Sequence, residues 1–593
     1  RTMATSLAYW VTADMGHPYN VYFGLQDNDS WGGPSATRSR AGIQNHEWFR
    51  FSGGDGMQTA VNPNDPHIVY GESQEGNASR IDLAAGRSQS IRPVAPPAAG
   101  RGASAGNATG GNAPAGSATG GSATAEATCI DGRITAPGAS GRGAGGGGGG
   151  RGGGQANVLN AEPGDVYRFN WNTPLMISPH NPNIVWMGGS RLFRSYDQGN
   201  HWIASADLTK HVDRCHVTVM GTPGTAVQLS KNDGVTSFST LTAISESPVL
   251  PGVVWAGTDD GNLQVSTDNG VTFAEVGKNV TGLPAGALSG TNPYWISRID
   301  ASHFEAGGAY VTIDGHRSDD LKPYVFVTHD YGRSWSSASG NLPASGNVQV
   351  VREDPKNRNL LYAGTEFGMF VSLDAGKNWE KFMTGYPTVR TDDILVHPRD
   401  GDLVVASHGR SIFIADDITP LQQLTPAVAA QDVVLFDARP AVAYQNDFHY
   451  DEYVGGYKQF EGENAARGTA IHFYLKSGAS GDAKVSVLDA AGSALCETTV
   501  AATAGIHRVQ WTLVTPLANA GGRGGRGGAA GGGGGPAPGG ATSGSCSGAA
   551  GGGGRGGGGA GASLGMYTVK LTVGGKDYTK SVQVLEDRWA RER

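Results

Sequence analysis

The chain reads as an all-β protein, a β-propeller of about seven blades followed by a small β-sandwich. Two repeats and one absence lead there. The first repeat is an octet, S/T-x-D-x-G-x-(polar)-aromatic, which occurs four times, at Ser195–Trp202, Ser266–Phe273, Thr328–Trp335 and Ser372–Trp379. The second is a turn carrying Pro or Gly, then an apolar strand that ends in a small residue, as in Pro179–Gly188 and Pro355–Gly364. The absence is of any dozen-residue segment with a 3.6-residue apolar period, so almost no helix is expected.

In the octet each residue type has a mechanical task. The carboxylates of Asp197, Asp268, Asp330 and Asp374 accept backbone N–H bonds and close a tight turn. Gly199, Gly270, Gly332 and Gly376 take the positive φ that other residues resist. Trp202, Phe273, Trp335 and Trp379 pack back against the neighbouring sheet. Four copies in one chain mark a repeated β unit. Their Asp-to-Asp spacings are 71 (268−197), 62 (330−268) and 44 (374−330), which places insertions in loops rather than sheets.

The turn-and-strand repeat runs more widely. It recurs from Pro18, Pro63, Pro179, Pro248, Pro355 and Pro398, with a weaker copy at Ala306–Thr312, giving seven units. The clearest unit divides into four strands over 242–245, 253–257, 263–266 and 272–276, with Gly, Pro or Asp at each bend. Four-stranded units repeated at this spacing are propeller blades. The blades are assigned to 8–55, 56–165, 166–236, 237–290, 291–345, 346–390 and 391–425, within a propeller region of 1–430. Ring closure stays open at this point: the N-terminal strand completing the last blade, or further blades upstream of Arg1, both fit. In 431–593 the segments 468–475, 483–488, 505–513, 566–573 and 578–585 alternate apolar and polar residues, which reads as an antiparallel sandwich of immunoglobulin or fibronectin-III type.

Composition narrows the partners. A net charge of −8, only 17% charged residues and a pI near 6.0 argue against nucleic acid or an anionic membrane surface. Gly supplies 94 of 593 residues, concentrated in two tracts near 95–155 and 519–563, which read as solvated inserts in one blade and in the sandwich. No run of 18 apolar residues exists, so no transmembrane segment is expected. The four cysteines form no CxxC pair. Disulfides joining Cys129 to Cys215 and Cys496 to Cys546 would anchor the inserts and imply an oxidising compartment; four unpaired thiols are the alternative. The chain opens at Arg1 directly in a strand pattern, so the expectation is a processed or partial chain whose export signal lies upstream, and a secreted, periplasmic or cell-surface location.

The octets resemble the Asp box, or BNR repeat, of sialidases, xyloglucanase-type glycosidases and sortilin-type receptors. Longer strings add to this: Gly24-Leu-Gln-Asp-Asn-Asp-Ser30, Gly257-Thr-Asp-Asp-Gly261, Asp314-Gly-His-Arg317, Gly364-Thr-Glu-Phe-Gly368 and Ser407-His-Gly-Arg-Ser-Ile-Phe-Ile414. Together they are similar to exported bacterial Asp-box propeller proteins described as sortilin-like or glycosyl-hydrolase-like. Gly505–Leu513 likewise resembles the sandwich that follows the propeller in those proteins. The resemblance implies the fold and leaves a binding or a hydrolytic role open.

In a four-stranded blade the second-to-third turns lie on the face opposite the third-to-fourth turns, where the octets fall. Those second turns carry Gln26/Asp27/Asn28, Glu72/Gln74/Glu75, Ser190/Arg191, Asp259/Asp260, Asp314/His316/Arg317/Asp319/Asp320, Glu366 and His408/Arg410. One rim thus collects carboxylates, two histidines and several arginines, with Trp31 as its expected exposed aromatic. The expected role is binding of a protein, peptide or polysaccharide ligand on that rim. A glycoside hydrolase using two of Asp259, Asp260, Asp314 and Glu366 is the alternative. A further one is a scaffolding factor with a companion fragment or a second copy as partner. Against all three stands the plainer reading that the carboxylates cap local turns. A sialidase is not expected, because Arg191, Arg317 and Arg410 lack a Tyr/Glu partner pattern. His316 and His408 sit in no zinc-binding spacing, and no cofactor or catalytic metal is expected. Asp259-Asp260-Gly261 resembles a calcium loop without EF-hand spacing, so a structural calcium is the lesser alternative.

Overall fold

The computed structural model describes residues 5–39, 41–98, 128–130, 133–135, 155–213, 217–219, 222–223, 237–290, 292–445, 461–513, 545–547 and 562–589. Among these, the α-helical elements are Thr419–Gln423 and Pro426–Ala429, with one further helical residue at Trp589.

Seven antiparallel sheets follow one another from Ala8 to Ala415, and we number them as blades I to VII. Blade I holds Ala8–Ala13, Asn20–Leu25, Ser30–Pro34 and Phe49–Ser52; blade II holds Gly56–Val61, Ile68–Ser73, Asn77–Asp82 and Arg87–Ser90. Blade III is Leu175–Ile177, Val185–Gly188, Arg191–Ser195 and Ile203–Asp207; blade IV is Leu241–Glu246, Val254–Thr258, Leu263–Ser266 and Ala274–Glu275. Blade V is Trp295–Ala301, Ala309–Asp314, Tyr324–Thr328 and Ser336–Ser337; blade VI is Val348–Glu353, Leu361–Thr365, Gly368–Ser372 and Glu380–Lys381. Blade VII has three strands among the described residues, Thr391–Val396, Leu403–Ser407 and Ile412–Ala415.

The first strands of successive blades lie side by side, and Thr391–Val396 lies beside Ala8–Ala13. Blade VII therefore meets blade I and the ring closes within this chain. A shared core of Val11, Val21, Phe23, Val404 and Ala406 seals the joint, and Tyr19 donates to Asp402 at 3.0 Å across it. The small residue that ends each repeated strand has a packing reason. A methyl on Gly257 would lie 2.3 Å from Ile296 of the next blade, and one on Gly364 would lie 2.7 Å from Thr391. Only bare backbone lets the neighbouring inner strand so close.

The octets sit at the third-to-fourth turns, and their closure is shared more widely than the sequence reading assigned it. The Asp accepts the N–H of the residue four positions on, at 2.8–2.9 Å in all four copies. The Gly N–H instead goes to the hydroxyl of the leading Ser or Thr, at 2.8–3.0 Å. That hydroxyl in turn donates to the Asp. The residue before each Gly is left-handed too, with φ of 58° at Gln198, 61° at Asn269, 60° at Tyr331 and 59° at Ala375. Trp202 and Trp379 reach the preceding blade and donate Nε1–H to the carbonyls of Ile91 and Ala338.

Beyond the ring, Val433–Leu435, Thr469–Leu475 and Gly505–Trp511 form one sheet. Ala441–Ala443, Lys576–Glu586, Gly565–Val573, Asp482–Leu488 and Ala494–Ala501 form the other. Phe473, Val485, Trp511 and Leu571 fill the space between them. Cys496 and Cys546 are disulfide-bonded. The Cys129–Cys215 pairing and most of both Gly-rich tracts lie outside the described residues. Arg38 and Asp587, both buried, join in two 2.7 Å hydrogen bonds that fix the end of the sandwich to blade I.

Candidate functional site

Contacts between blades that are not neighbours locate the channel. Arg298 of blade V approaches Asp393 of blade VII at 3.6 Å. Its guanidinium lies 4.3 Å from the centre of the Trp10 ring of blade I, and that of Arg352 lies 5.5 Å from it. Arg352 bridges Asp300 at 3.1 Å and Asp393 at 2.8 Å, and the Val11 N–H reaches Asp393 at 3.3 Å. Inner-strand residues of blades I, V, VI and VII thus fill the channel with a charged network. Burial lowers the Arg298 guanidinium to about 10. Burial acts on Arg352 in the same sense, but Asp393 and Asp300 outweigh it and hold that group above its ordinary value.

Above this network lies the mouth, on the face of the second-to-third turns. At its centre Arg390 donates to Asp392 at 2.7 Å and to Gln349 at 3.1 Å. The same Asp392 takes His408 Nδ1 at 3.0 Å. Glu366 and Asp314 also act on the Arg390 charge. Asp314 accepts from the His316 backbone at 3.0 Å and from Asn347 at 3.0 Å, with the His316 ring 2.7 Å away. Burial alone would raise its carboxyl, but the His316 ring and N–H outweigh burial and hold it at about 2. Tyr9 donates to Gln26 at 2.5 Å, and burial followed by Asp392 and Asp55 pushes its phenol up to about 12. The Arg317 guanidinium is stacked over Trp295 at 3.8 Å. Phe367 and Leu321, 53% and 44% exposed, stand on the turns of blades VI and V beside this floor.

Of the rim residues read from the sequence, Gln26, Asp314, His316, Glu366 and His408 meet around Arg390. Arg317 and the exposed Arg410, Asp27 and Asn28 lie on the same turns. Others do not belong to an accessible rim. Asp259 is fully buried and accepts from Thr240 N–H at 2.8 Å, Thr240 O–H at 2.7 Å and Asn170 at 3.1 Å. Asp260 is equally buried and accepts from Lys210 N–H and Thr258 O–H. Neither is free to touch a substrate, so both leave the list of candidate catalytic carboxylates. Glu72 is buried against Gly76 N–H, and that burial pushes its carboxyl well above the usual range. Arg191 lies on a strand and donates to the Ser205 carbonyl inside blade III. Trp31 is half-buried and lines a groove between blades I and VII rather than the mouth.

Tyr9, Trp10, Arg298, Gln349, Arg352, Asp392 and Asp393 lie on first strands, and Arg390 just before one, so a reading of second turns does not reach them. Their signal is a charged or aromatic residue inside an otherwise apolar inner strand, as in Trp295-Ile-Ser-Arg298-Ile-Asp300. Among the described residues, no group of three or more His, Cys, Asp or Glu side chains is placed to hold a metal ion. No helix among them is long and apolar enough to cross a membrane.

Fold and site define a closed seven-bladed propeller with a charged, filled channel, a polar mouth and an appended sandwich. No family model matches the chain. An oligoxyloglucan reducing end-specific xyloglucanase of Emericella nidulans is 26% identical over 147 residues, which are 23% of this chain and 16% of that protein's length. Among solved structures, a GH74 xyloglucanase from Xanthomonas campestris matches 70% of this chain and 53% of its own, at 13% identity and a TM-score of 0.41. The Niastella koreensis GH74 enzyme matches 74% and 57%, at 14% and 0.39, and YCF48 from Cyanidioschyzon merolae matches 70% and 97%, at 11% and 0.37.

Proposed function

We propose that the protein is an exported binding propeller that holds an extended polymer, a polysaccharide or polypeptide, across the channel mouth. One observation carries this reading: the channel is filled below the mouth, and the groups above it are already bonded to one another. Arg390, Asp392 and His408 form one bonded cluster, and Asp314, His316 and Asn347 another. A ligand therefore lies across this floor rather than threading it. The polar groups fix its orientation, and the exposed Phe367 and Leu321 supply apolar contact at the edge. The Cys496–Cys546 disulfide supports an oxidising compartment.

The second reading is a glycoside hydrolase, favoured by the similarity of one stretch to a xyloglucanase. Of the four carboxylates nominated from sequence, Asp314 and Glu366 remain at the mouth. Asp314, held at about 2, is ionised at neutral pH but is buried and bonded to His316 and Asn347, so this reading requires a ligand to displace one of those partners before Asp314 acts as nucleophile or base, with Glu366 as the proton donor.

Calorimetric titration with xyloglucan oligosaccharides and with a panel of peptides, run beside a reducing-end assay, separates the two. Binding that weakens at least about tenfold in Phe367→Ala, with no turnover, supports the binding propeller. Turnover that Glu366→Gln abolishes while binding persists makes the protein a hydrolase. No binding to any glycan or peptide sinks both.

A further inference from the structure

The octet face carries a cavity of its own, on the side of the ring away from the mouth. It has a volume of about 250 Å³ and lies between blades V and VI, where the turns 302–308 and 354–360 meet the octets at Thr328 and Ala375. Its floor is Ser302, Tyr310 and Glu353, which are 4%, 3% and 4% exposed. Its rim is a more exposed trio: the Glu305 carboxylate lies 2.6 Å from the His329 ring and 2.5 Å from the Arg358 guanidinium. Burial alone would raise the Glu305 carboxyl, but His329 and Arg358 outweigh it and hold the group below its ordinary value.

The equivalent cleft between blades III and IV has no such opening, and the comparison shows what differs. Glu246 and Glu353 end the first strands of blades IV and VI, opposite Val254 and Leu361. Trp186 and Tyr310 are the second residues of the second strands in the blades before them, III and V. Between blades III and IV the pair closes, because Trp186 Nε1–H donates to Glu246 at 2.8 Å. Between blades V and VI it stays apart. Glu353 Oε2 accepts from the Ser302 hydroxyl at 2.9 Å and the His303 N–H at 2.6 Å, whereas Oε1 takes only the longer arm of the Ser302 bond at 3.2 Å. The Tyr310 hydroxyl has no hydrogen-bond partner among the described residues. Burial, then Glu353, raises its phenol, so it remains a donor. A buried carboxylate oxygen and a buried hydroxyl thus line one cavity with bonding capacity to spare, which burial makes costly. The charges that act on Tyr310 are those of Glu353, Asp300 and Glu305 against that of Arg358, so a cation suits this space better than an anion.

We propose that this cavity binds a small molecule carrying a primary ammonium beside a hydroxyl, an amino alcohol or an amino sugar. The ammonium donates to Glu353 Oε1, taking the part that Trp186 Nε1–H plays for Glu246. The neighbouring hydroxyl accepts from Tyr310, and Glu305, fixed by His329 and Arg358, borders the open side. The cavity is smaller than the roughly 300–1,000 Å³ of drug-sized sites and suits a molecule of one ring or less. A neutral sugar would bury the Glu353 carboxylate without a compensating charge, so the site discriminates against it. Because the cavity lies on the face opposite the mouth, its occupancy is independent of any polymer held there.

Calorimetric titration of the full chain at neutral pH tests this with glucosamine and ethanolamine, beside glucose and N-acetylglucosamine, which lack the ammonium. At least one of the two amines binds, and at least about tenfold more tightly than either neutral sugar. Binding of ethanolamine alone supports the amino-alcohol class, and binding of glucosamine the amino-sugar class. Glu353→Gln weakens the amine that binds by at least about tenfold. Tyr310→Phe keeps the ring, removes the hydroxyl and weakens the same amine about three- to tenfold. Melting curves check that each variant folds, and if Glu353→Gln does not, Tyr310→Phe decides. No binding of either amine overturns the proposal. So does a neutral sugar that binds as tightly as the amines, or an unchanged amine affinity in folded Tyr310→Phe.

Discussion

Asp393→Ala tests whether the charged network is the keystone of the ring. The Asp393 carboxylate is 1% exposed and accepts from Arg352 at 2.8 Å and from the Val11 N–H at 3.3 Å, with Arg298 at 3.6 Å. Removing it leaves Arg352 with Asp300 at 3.1 Å, and leaves Arg298 with the Asp392 carbonyl at 3.1 Å. Arg298 then holds a buried charge with no carboxylate within ion-pair distance among the described residues. Breaking one side of a buried ion pair costs about 3–5 kcal/mol, because the surviving charge stays out of water. Against a total stability of about 5–15 kcal/mol, that is a large fraction. For a ring of this size, at about 2.1 cal/mol/K of unfolding entropy per residue, the loss corresponds to a fall of about 4–7 °C in its melting temperature. Differential scanning calorimetry of the full chain measures it. Adding Arg298→Met removes the orphaned charge, so the double variant recovers about 1–3 kcal/mol relative to the sum of the single losses. A loss under about 1 kcal/mol for Asp393→Ala, or strict additivity in the double variant, refutes the reasoning.

Three further outcomes follow from the same structure. Asp330→Ala strands the Ser334 N–H and the Thr328 and Ser334 hydroxyls and lowers stability by about 1–3 kcal/mol in urea unfolding. Ligand binding per folded molecule is unchanged, so a binding loss without destabilisation would contradict the structural role of the octets. His472, buried where the sandwich meets Asp417, is pushed down to about 4 chiefly by burial, despite the carboxylate 3.8 Å away. Its folded value lies below its unfolded value, so stability holds above about pH 6.5 and falls by about 1–3 kcal/mol as pH drops toward 4. His472→Gln flattens that slope in melts recorded between pH 7 and 4, and an unaltered slope refutes the assignment. Replacing Cys496 and Cys546 by Ser opens a link between residues 50 apart. It costs the sandwich about 2–4 kcal/mol and leaves the ring transition in place, so a matching fall in the ring's melting would show that the two regions unfold together.

The ring was legible in the sequence because its determinants are local. An octet closes on itself within four residues, and a strand that ends in Gly announces a close neighbour wherever that neighbour comes from. The mouth was legible only in part. Sequence places Asp259 and Glu366 on equivalent turns, yet Asp259 turns inward to Thr240, 19 positions away, and to Asn170, 89 positions away, while Glu366 stays half-buried at the mouth. Which way a carboxylate turns depends on donors that only the closed ring supplies. Trp31 failed for a like reason: its neighbours Ile412 and Ile414 come from the far end of the ring. The alternation of apolar and polar residues found five sandwich strands but passed over Ala494–Ala501, where Ala494-Leu-Cys496 followed by Glu497-Thr-Thr499 breaks the alternation and the buried Cys496 is held by a disulfide.

The channel network and the mouth floor are one construction, and register shifts in the inner strands build both. The first strands of blades I, II, IV, V, VI and VII each lose register with the second strand near the mouth. In blade I the shift falls between Ala8 and Trp10, in blade V between Ile296 and Arg298, and in blade VII between Thr391 and Asp393. Trp10, Arg298 and Asp393, the residues resuming the ladder, are members of the channel network. The residues passed over in blades I, VI and VII are Tyr9, Gln349 and Asp392, all bonded at the mouth. An extra residue in a strand re-aims side chains that strict alternation would send into the sheet interfaces. In blades V and VI the bulge places one group, Arg298 in the channel and Gln349 at the mouth, and in blades I and VII it places one in each. The bulges have no composition signature, since Ala-Tyr-Trp and Thr-Asp-Asp share no residue type. That is why the groups at the centre of the site were the ones hardest to find by reading turns.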